Sequence, residues 1–72
     1  MSDIQETIIL NHLKKHKFIT SWEAITEYRI TRLSARIYEL REKGHQIITN
    51  HISENGKRFA EYSLIKESEN VR

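Results

Sequence analysis

Hydrophobic spacing divides the chain into three helical stretches and a pair of strands. Residues about 3–16, "DIQETIILNHLKKH", place Ile9, Leu10 and Leu13 on one face at about 100° per residue, with Ile4 and Ile8 nearly opposite. That second stripe needs either another packing surface or a partner. Ser2 is the expected N-cap, Asp3 and Glu6 fall in the first turn, and Lys14, Lys15 and Lys17 lie toward the end. The helix dipole favours this distribution of charge. "FIT", residues 18–20, reads as a short extended piece. Thr20 with Glu23 three residues later then forms a capping box that opens a second helix, "TSWEAITEY". Ala24, Ile25 and Tyr28 are expected on its inner side, with Trp22 off that stripe, packing at the domain edge or stacking on a ligand.

The third helix is expected to start at Thr31 as N-cap and to stop at Gly44 as the residue after its C-cap. Leu33, Ile37 and Leu40 are its inward stripe. Only "YRI" separates it from the second helix, which is the spacing of a helix-turn-helix. Beyond Gly44, "QIITNHI" and "FAEYSLI" flank "SENGKR". Asn55-Gly56 is a strong hairpin signal, because a type I′ turn needs positive φ at both positions. With that turn, Ile47 faces Leu64, Thr49 faces Tyr62 and His51 faces Ala60 on one side. Ile48 with Ser63, Asn50 with Glu61 and Ile52 with Phe59 lie on the other, and Glu54 meets Lys57 at the tip. The expected architecture is α+β and mostly α: one domain over residues 1–66, followed by a flexible tail at 67–72.

Composition narrows the function. At 72 residues the chain has little surface to spare for a catalytic cleft, and with no cysteine it depends on packing alone. No apolar run approaches the ~18 residues of a membrane span, and "MSDIQETIIL" does not read as a signal peptide. A cytoplasmic location is expected, with no membrane association. Net charge is only +2, but it is unevenly placed. Residues 18–28 carry −2, residues 29–45 carry +3, residues 46–59 carry +1, and the stretch from 60 onward carries −1. Such local asymmetry is the electrostatic footprint of a nucleic-acid binder.

The stretch "FITSWEAITEYRITRLSARIYELREKGHQI", followed by "NGKRFAEYSL", resembles the small winged helix-turn-helix DNA-binding proteins of phages and prophages. The likeness covers about residues 9–65, and "ITRLSARIYELREKG" is its most specific part. The resemblance implies a winged helix-turn-helix of three helices plus a C-terminal hairpin wing, with a short strand between the first two helices. It implies that the third helix enters the major groove and that Lys57 and Arg58 lie on the wing beside a phosphate backbone. It implies a regulator of transcription, or an accessory factor in excision or replication, acting on double-stranded DNA. Where such motifs often carry glycine in the turn, this chain has Arg29, at a cost on the order of 1 kcal/mol if φ there is positive.

The expected DNA-contacting set is Ser21, Thr31, Arg32, Ser34, Ala35, Arg36, Lys57 and Arg58. A cation in the first turn faces the positive end of the helix dipole, which is mildly unfavourable until a phosphate or a guanine edge arrives. That makes Arg32 informative. Ser34 offers a hydrogen bond to phosphate or base, and Ala35 leaves room for the groove wall or a thymine methyl. Arg36, nearer the core edge, either reaches DNA or pairs with Glu39 or Glu23. A small module of this kind makes few contacts, so a homodimer is expected as an option. Ile4 and Ile8, or Ile48, Ile52 and Phe59, are its candidate patches unless they pack within the chain.

Catalysis is hard to assemble from these residues. Asp3 is the sole aspartate, Gly44 and Gly56 are the only glycines, and no nucleophile–base set forms. His12 and His16 are spaced i, i+4 but lack a third ligand, so surface histidines are expected rather than a metal site. No enzyme activity, cofactor or small-molecule substrate is expected. The rival reading is a protein-interaction module on the same scaffold, since fold does not fix function.

Overall fold

The computed structural model describes residues 2–67. The expected Ser2 cap and the tail from 68 onward lie outside the described side chains. The elements run α1 (Ser2–His16), β1 (Phe18–Thr20), α2 (Ser21–Tyr28), α3 (Leu33–Glu42), β2 (Gln46–Glu54) and β3 (Lys57–Lys66). The three strands form one antiparallel sheet in the order β1-β3-β2. No helix among the described residues is long and apolar enough to cross a membrane.

Each local signal in the sequence has a physical counterpart. Thr20 takes an extended conformation, its Oγ1 accepts the Glu23 amide at 3.1 Å, and its own amide donates to Glu23 Oε1 at 3.0 Å. Both halves of the capping box are therefore made. Lys43 caps α3 and Gly44 follows at φ 99°, where the Gly44 amide bonds Arg41 O and the His45 amide bonds Leu40 O, at 3.0 and 3.2 Å. This pair of bonds satisfies carbonyls that the helix end would leave open. Asn55 and Gly56 both have positive φ, 50° and 77°, and β2 pairs with β3 in the register expected from a turn at those residues. One irregularity, between Gln46 and Ile47, brings Gln46 opposite Lys66.

The core joins every element. Ile9 and Leu13 of α1, Ile19 of β1, Ala24 of α2, Leu33, Ile37 and Leu40 of α3, and Ile47 of β2 are buried together. Ile8 and Leu10 pack half-buried against them, while Ile4 stays exposed. At about 1.5–3 kcal/mol for each fully buried large side chain, this cluster supplies most of what holds so short a chain folded. "FIT" is more than an extended connector. Phe18, Ile19 and Thr20 pair with Ser63, Tyr62 and Glu61, which seats Ile19 in the core. Because β1 ends opposite Glu61, the hairpin beyond Asn50 and Glu61 projects past the three-stranded part of the sheet as a wing.

Several expectations need correction. Four residues, not three, separate α2 from α3, and Ile30 among them is buried at 1% exposure. The N-cap of α3 is Arg32, not Thr31, and no side chain caps its first turn. Ile25 is 40% exposed, because α2 leans on the core through Ala24 and Tyr28, and Ile25 is rotated about 100° from Ala24. His12 is no surface histidine. It is buried, and its Nδ1 lies 2.6 Å from the Tyr28 hydroxyl, tying α1 to α2, while His16 stays exposed with its ring 4.7 Å from that of His12.

A polar clamp joins α1 to α3. Arg36 donates to Gln5 Oε1 at 3.2 Å and pairs with Glu39, whose Oε1 lies 3.1 Å from Nε. Lys43 pairs with the buried carboxylate of Glu6. A hydrogen bond with Glu6, loss of water and the Glu6 charge together raise the pKa of Glu39, against the opposing pull of Arg36 and Lys43.

Two measurements check this description. Arg29 holds φ 58° with ψ 31°, so Arg29→Gly should raise the unfolding free energy by about 1 kcal/mol in urea titration. A carboxyl whose folded pKa is raised favours folding while protonated, and that contribution is lost as pH rises through the folded value. Glu39→Gln, which fixes a neutral side chain, should therefore gain stability relative to the parent chain at about pH 7. The advantage should shrink as pH falls toward 4.5, the ordinary value for that group.

Candidate nucleic-acid interface

The face that α3 leaves free is narrower than helical spacing alone suggests. Leu33, Ile37 and Leu40 point into the core. On one flank, Arg36, Glu39 and Lys43 turn toward α1 and are engaged with Gln5 and Glu6. On the other, Arg41 turns to the sheet, where its Nε donates to Ile47 O at 2.8 Å and its Nη2 to Thr49 Oγ1 at 2.9 Å. What remains is a strip of Ser34, Tyr38 and Glu42, all exposed, beside half-buried Ala35.

The expected contact residues fall into two groups. Thr31, Arg32 and Ser34 are exposed and Ala35 half-buried at the N-terminal end of α3. Ser21, Lys57 and Arg58 line a second place, a groove between the start of α2 and the wing. Arg36 belongs to neither. Its side chain is 17% exposed and held by Gln5 and Glu39, which places it in the α1–α3 clamp. The sequence reading had left that pairing open. The partner Gln5 comes from 31 residues away, which no local pattern reveals.

Electrostatics separate the two groups. Arg32 occupies the N-cap and its carbonyl accepts the amides of Ala35 and Arg36 at 3.1 and 3.2 Å. No side chain caps that turn, so the amide of the exposed Ser34 has no side-chain acceptor and can meet water or an anion. Arg29 and Arg32 are both exposed around that end of α3. The groove is mixed instead. Lys57, Arg58 and His16 share it with Glu23, Glu27 and Glu61, and with the rings of Phe18, Trp22 and Phe59. Trp22, 72% exposed, does sit at a domain edge, on the rim of this groove.

Sequence reasoning passed over Tyr38 as a contact residue. It is 62% exposed and centred on the free strip, and the signal was present in its spacing of i+4 from Ser34 and i−4 from Glu42. Arg29, which enters the sequence reading through its backbone and its charge but not as a contact, stands exposed three residues before Arg32. Among the described residues no cluster of three or more potential ligands is placed to hold a metal ion.

A family model described as the winged helix-turn-helix domain matches residues 4–67. No curated protein and no solved structure matches the chain. The chain, with two short helices joined by a tight reversal, a third strand completing the sheet and a projecting hairpin, belongs to the winged helix-turn-helix family of DNA-binding domains.

Proposed function

We propose that this protein binds double-stranded DNA as a phage or prophage regulator of transcription, or as an accessory factor in excision or replication. In this reading α3 lies in the major groove and the wing follows the neighbouring backbone. The observation that carries it is the N-terminal end of α3. An exposed arginine occupies the cap, no side chain satisfies the first turn, and Ser34 and Tyr38 stand free behind it. Water-exposed, that arrangement is mildly unfavourable; against phosphate it becomes favourable.

The labour divides by chemistry. Arg29 and Arg32 hold phosphate at one side of the groove, and Lys57 and Arg58 hold it at the wing. These contacts position the helix without reading sequence. Ser34, Ala35 and Tyr38 face the base edges, so direct reading falls to a hydroxyl, a methyl and a phenol rather than to a bidentate arginine. Glu42, at the far end of the strip, repels phosphate and keeps the C-terminal half of α3 away from the backbone.

Selection of binding sites from random duplexes, followed by titration at two salt concentrations, tests the reading. Salt-insensitive or absent binding across all duplexes would overturn it. Arg32→Glu should weaken the selected site by about 100-fold and lower the salt slope by about 1. Tyr38→Ala should cut the preference for selected over random duplex by roughly 10-fold while leaving the salt slope unchanged. Arg36→Gln should lower thermal stability and move DNA affinity little.

A further inference from the structure

β3 has a strand on both sides only as far as Glu61. There β1 ends at Thr20 and the chain turns into α2, while β3 runs on to the hairpin with β2 on one side alone. In an antiparallel pair closed by a two-residue turn, the residues flanking the turn exchange both backbone bonds, and every second pair beyond them does the same. Glu54 with Lys57 and Ile52 with Phe59 are therefore bonded pairs, whereas Arg58 and Ala60 aim their backbone groups away from β2. By the same count Ile47 with Leu64 is an unbonded pair, and the Ile47 carbonyl does point outward, to Arg41 Nε at 2.8 Å. At Tyr62 the side away from β2 is taken by Ile19 of β1. The amide and carbonyl of Arg58, and the amide of Ala60, have no partner among the described residues.

These groups lie along a groove of about 1360 Å³, which the start of α2 and the end of α1 close on the other side. Trp22 and Phe59 present exposed rings to it. Glu27 and Glu61 line it without an ion pair among the described residues. His12, 7% exposed, lines it too. Its buried Nε2 has no hydrogen-bond partner, because Glu23 Oε1 stands 4.0 Å away.

We propose that an extended segment of another protein adds to the sheet in this groove, antiparallel to β3 and in line with β1. Its residue opposite Arg58 exchanges both backbone bonds there, and its residue opposite Ala60 accepts from the Ala60 amide. Alternation sets its side chains. Opposite Ala60 the side chain points to the α2 side, where the Glu27 carboxylate and the Trp22 ring favour arginine or lysine. Opposite Phe59 it points to the outer face, where a β-branched residue packs on that ring. Nucleic acid is the poorer occupant, since it lacks a row of alternating amides and carbonyls and the groove's carboxylates repel its phosphates. A second copy is excluded by shape, because its own edge lies beneath its own α2. Only the backbone of Arg58 is used, so its guanidinium is left for phosphate, and α3 takes no part.

The probe is an array of capped hexapeptides of the pattern Gly-Arg-Val-Thr-Val-Gly, with lysine or isoleucine as alternates, titrated against the full chain. Amide hydrogen exchange reads the edge directly. Without peptide, the Arg58 and Ala60 amides should exchange faster than those of Phe59 and Glu61; saturating peptide should slow them by about tenfold or more. N-methylation at the threonine, which faces Arg58, should weaken binding about tenfold. Ala60→Pro removes an amide that the β2 ladder does not use, and should weaken binding by about as much. Glu27→Lys should weaken the arginine peptide about fivefold and favour one with glutamate in its place. No saturable binding by any member up to about 1 mM, or equal binding of the N-methylated peptide, would overturn the proposal. Protection of Arg58 and Ala60 that grows with chain concentration alone would also overturn it, and would assign the edge to a second copy.

Discussion

The reversal at Arg29 that delivers Ile30 to the core fixes where α3 lies. Arg29 takes the left-handed conformation, its amide bonds Ile25 O at 2.9 Å, and the next amide reaches back to Ala24 O at the same distance. The chain is thereby turned sharply enough for Ile30 to be 1% exposed and for α3 to begin after only two intervening residues. Burial of one isoleucine, worth about 1.5–3 kcal/mol, outweighs the roughly 1 kcal/mol cost of positive φ at a non-glycine residue. With Ile30 inside, Leu33, Ile37 and Leu40 meet the core in turn, and the opposite side of the helix is presented outward.

The same geometry explains how charge is distributed on α3. A helix flanked by α1 on one side and the sheet on the other has cations on both flanks, and each finds an internal acceptor. Arg36 and Lys43 pair with carboxylates and with Gln5, and Arg41 covers Ile47 O on β2, an edge strand. That last contact covers an edge carbonyl at the strand's start, a place where open strands invite unwanted pairing. Arg29 and Arg32 before the helix, and Lys57 and Arg58 on the wing, are exposed. Positive charge is therefore displaced from the middle of α3 to its margins, the distribution that the proposed backbone contacts would use.

The two faces of the sheet have different fates for a related reason. The inner face buries Ile19 and Ile47 and half-buries Tyr62 and Leu64. The outer face interleaves Thr20, Asn50 and Glu61 with Phe18, Ile48, Phe59 and Ile65, which stand exposed. A three-stranded sheet with helices on one side alone leaves that surface to water or to another molecule.

Much of the local chemistry was legible in the sequence, although the cap of α3 fell on Arg32 rather than Thr31. The capping box at Thr20, the glycine after α3, the hairpin turn at Asn55-Gly56 and the β2–β3 register each depend on residues within a few positions of one another, or on a turn that dictates the pairing. The Leu33, Ile37 and Leu40 stripe was legible for the same reason. Only the tertiary structure decided the pairing of β1 with β3, the burial of Ile30, His12 and Glu6, and the engagement of Arg36 by Gln5. Those outcomes rest on partners far away along the chain, such as Gln5 for Arg36 and Tyr28 for His12. Periodicity tells which residues share a helix face, but which element covers that face is settled only when the elements pack.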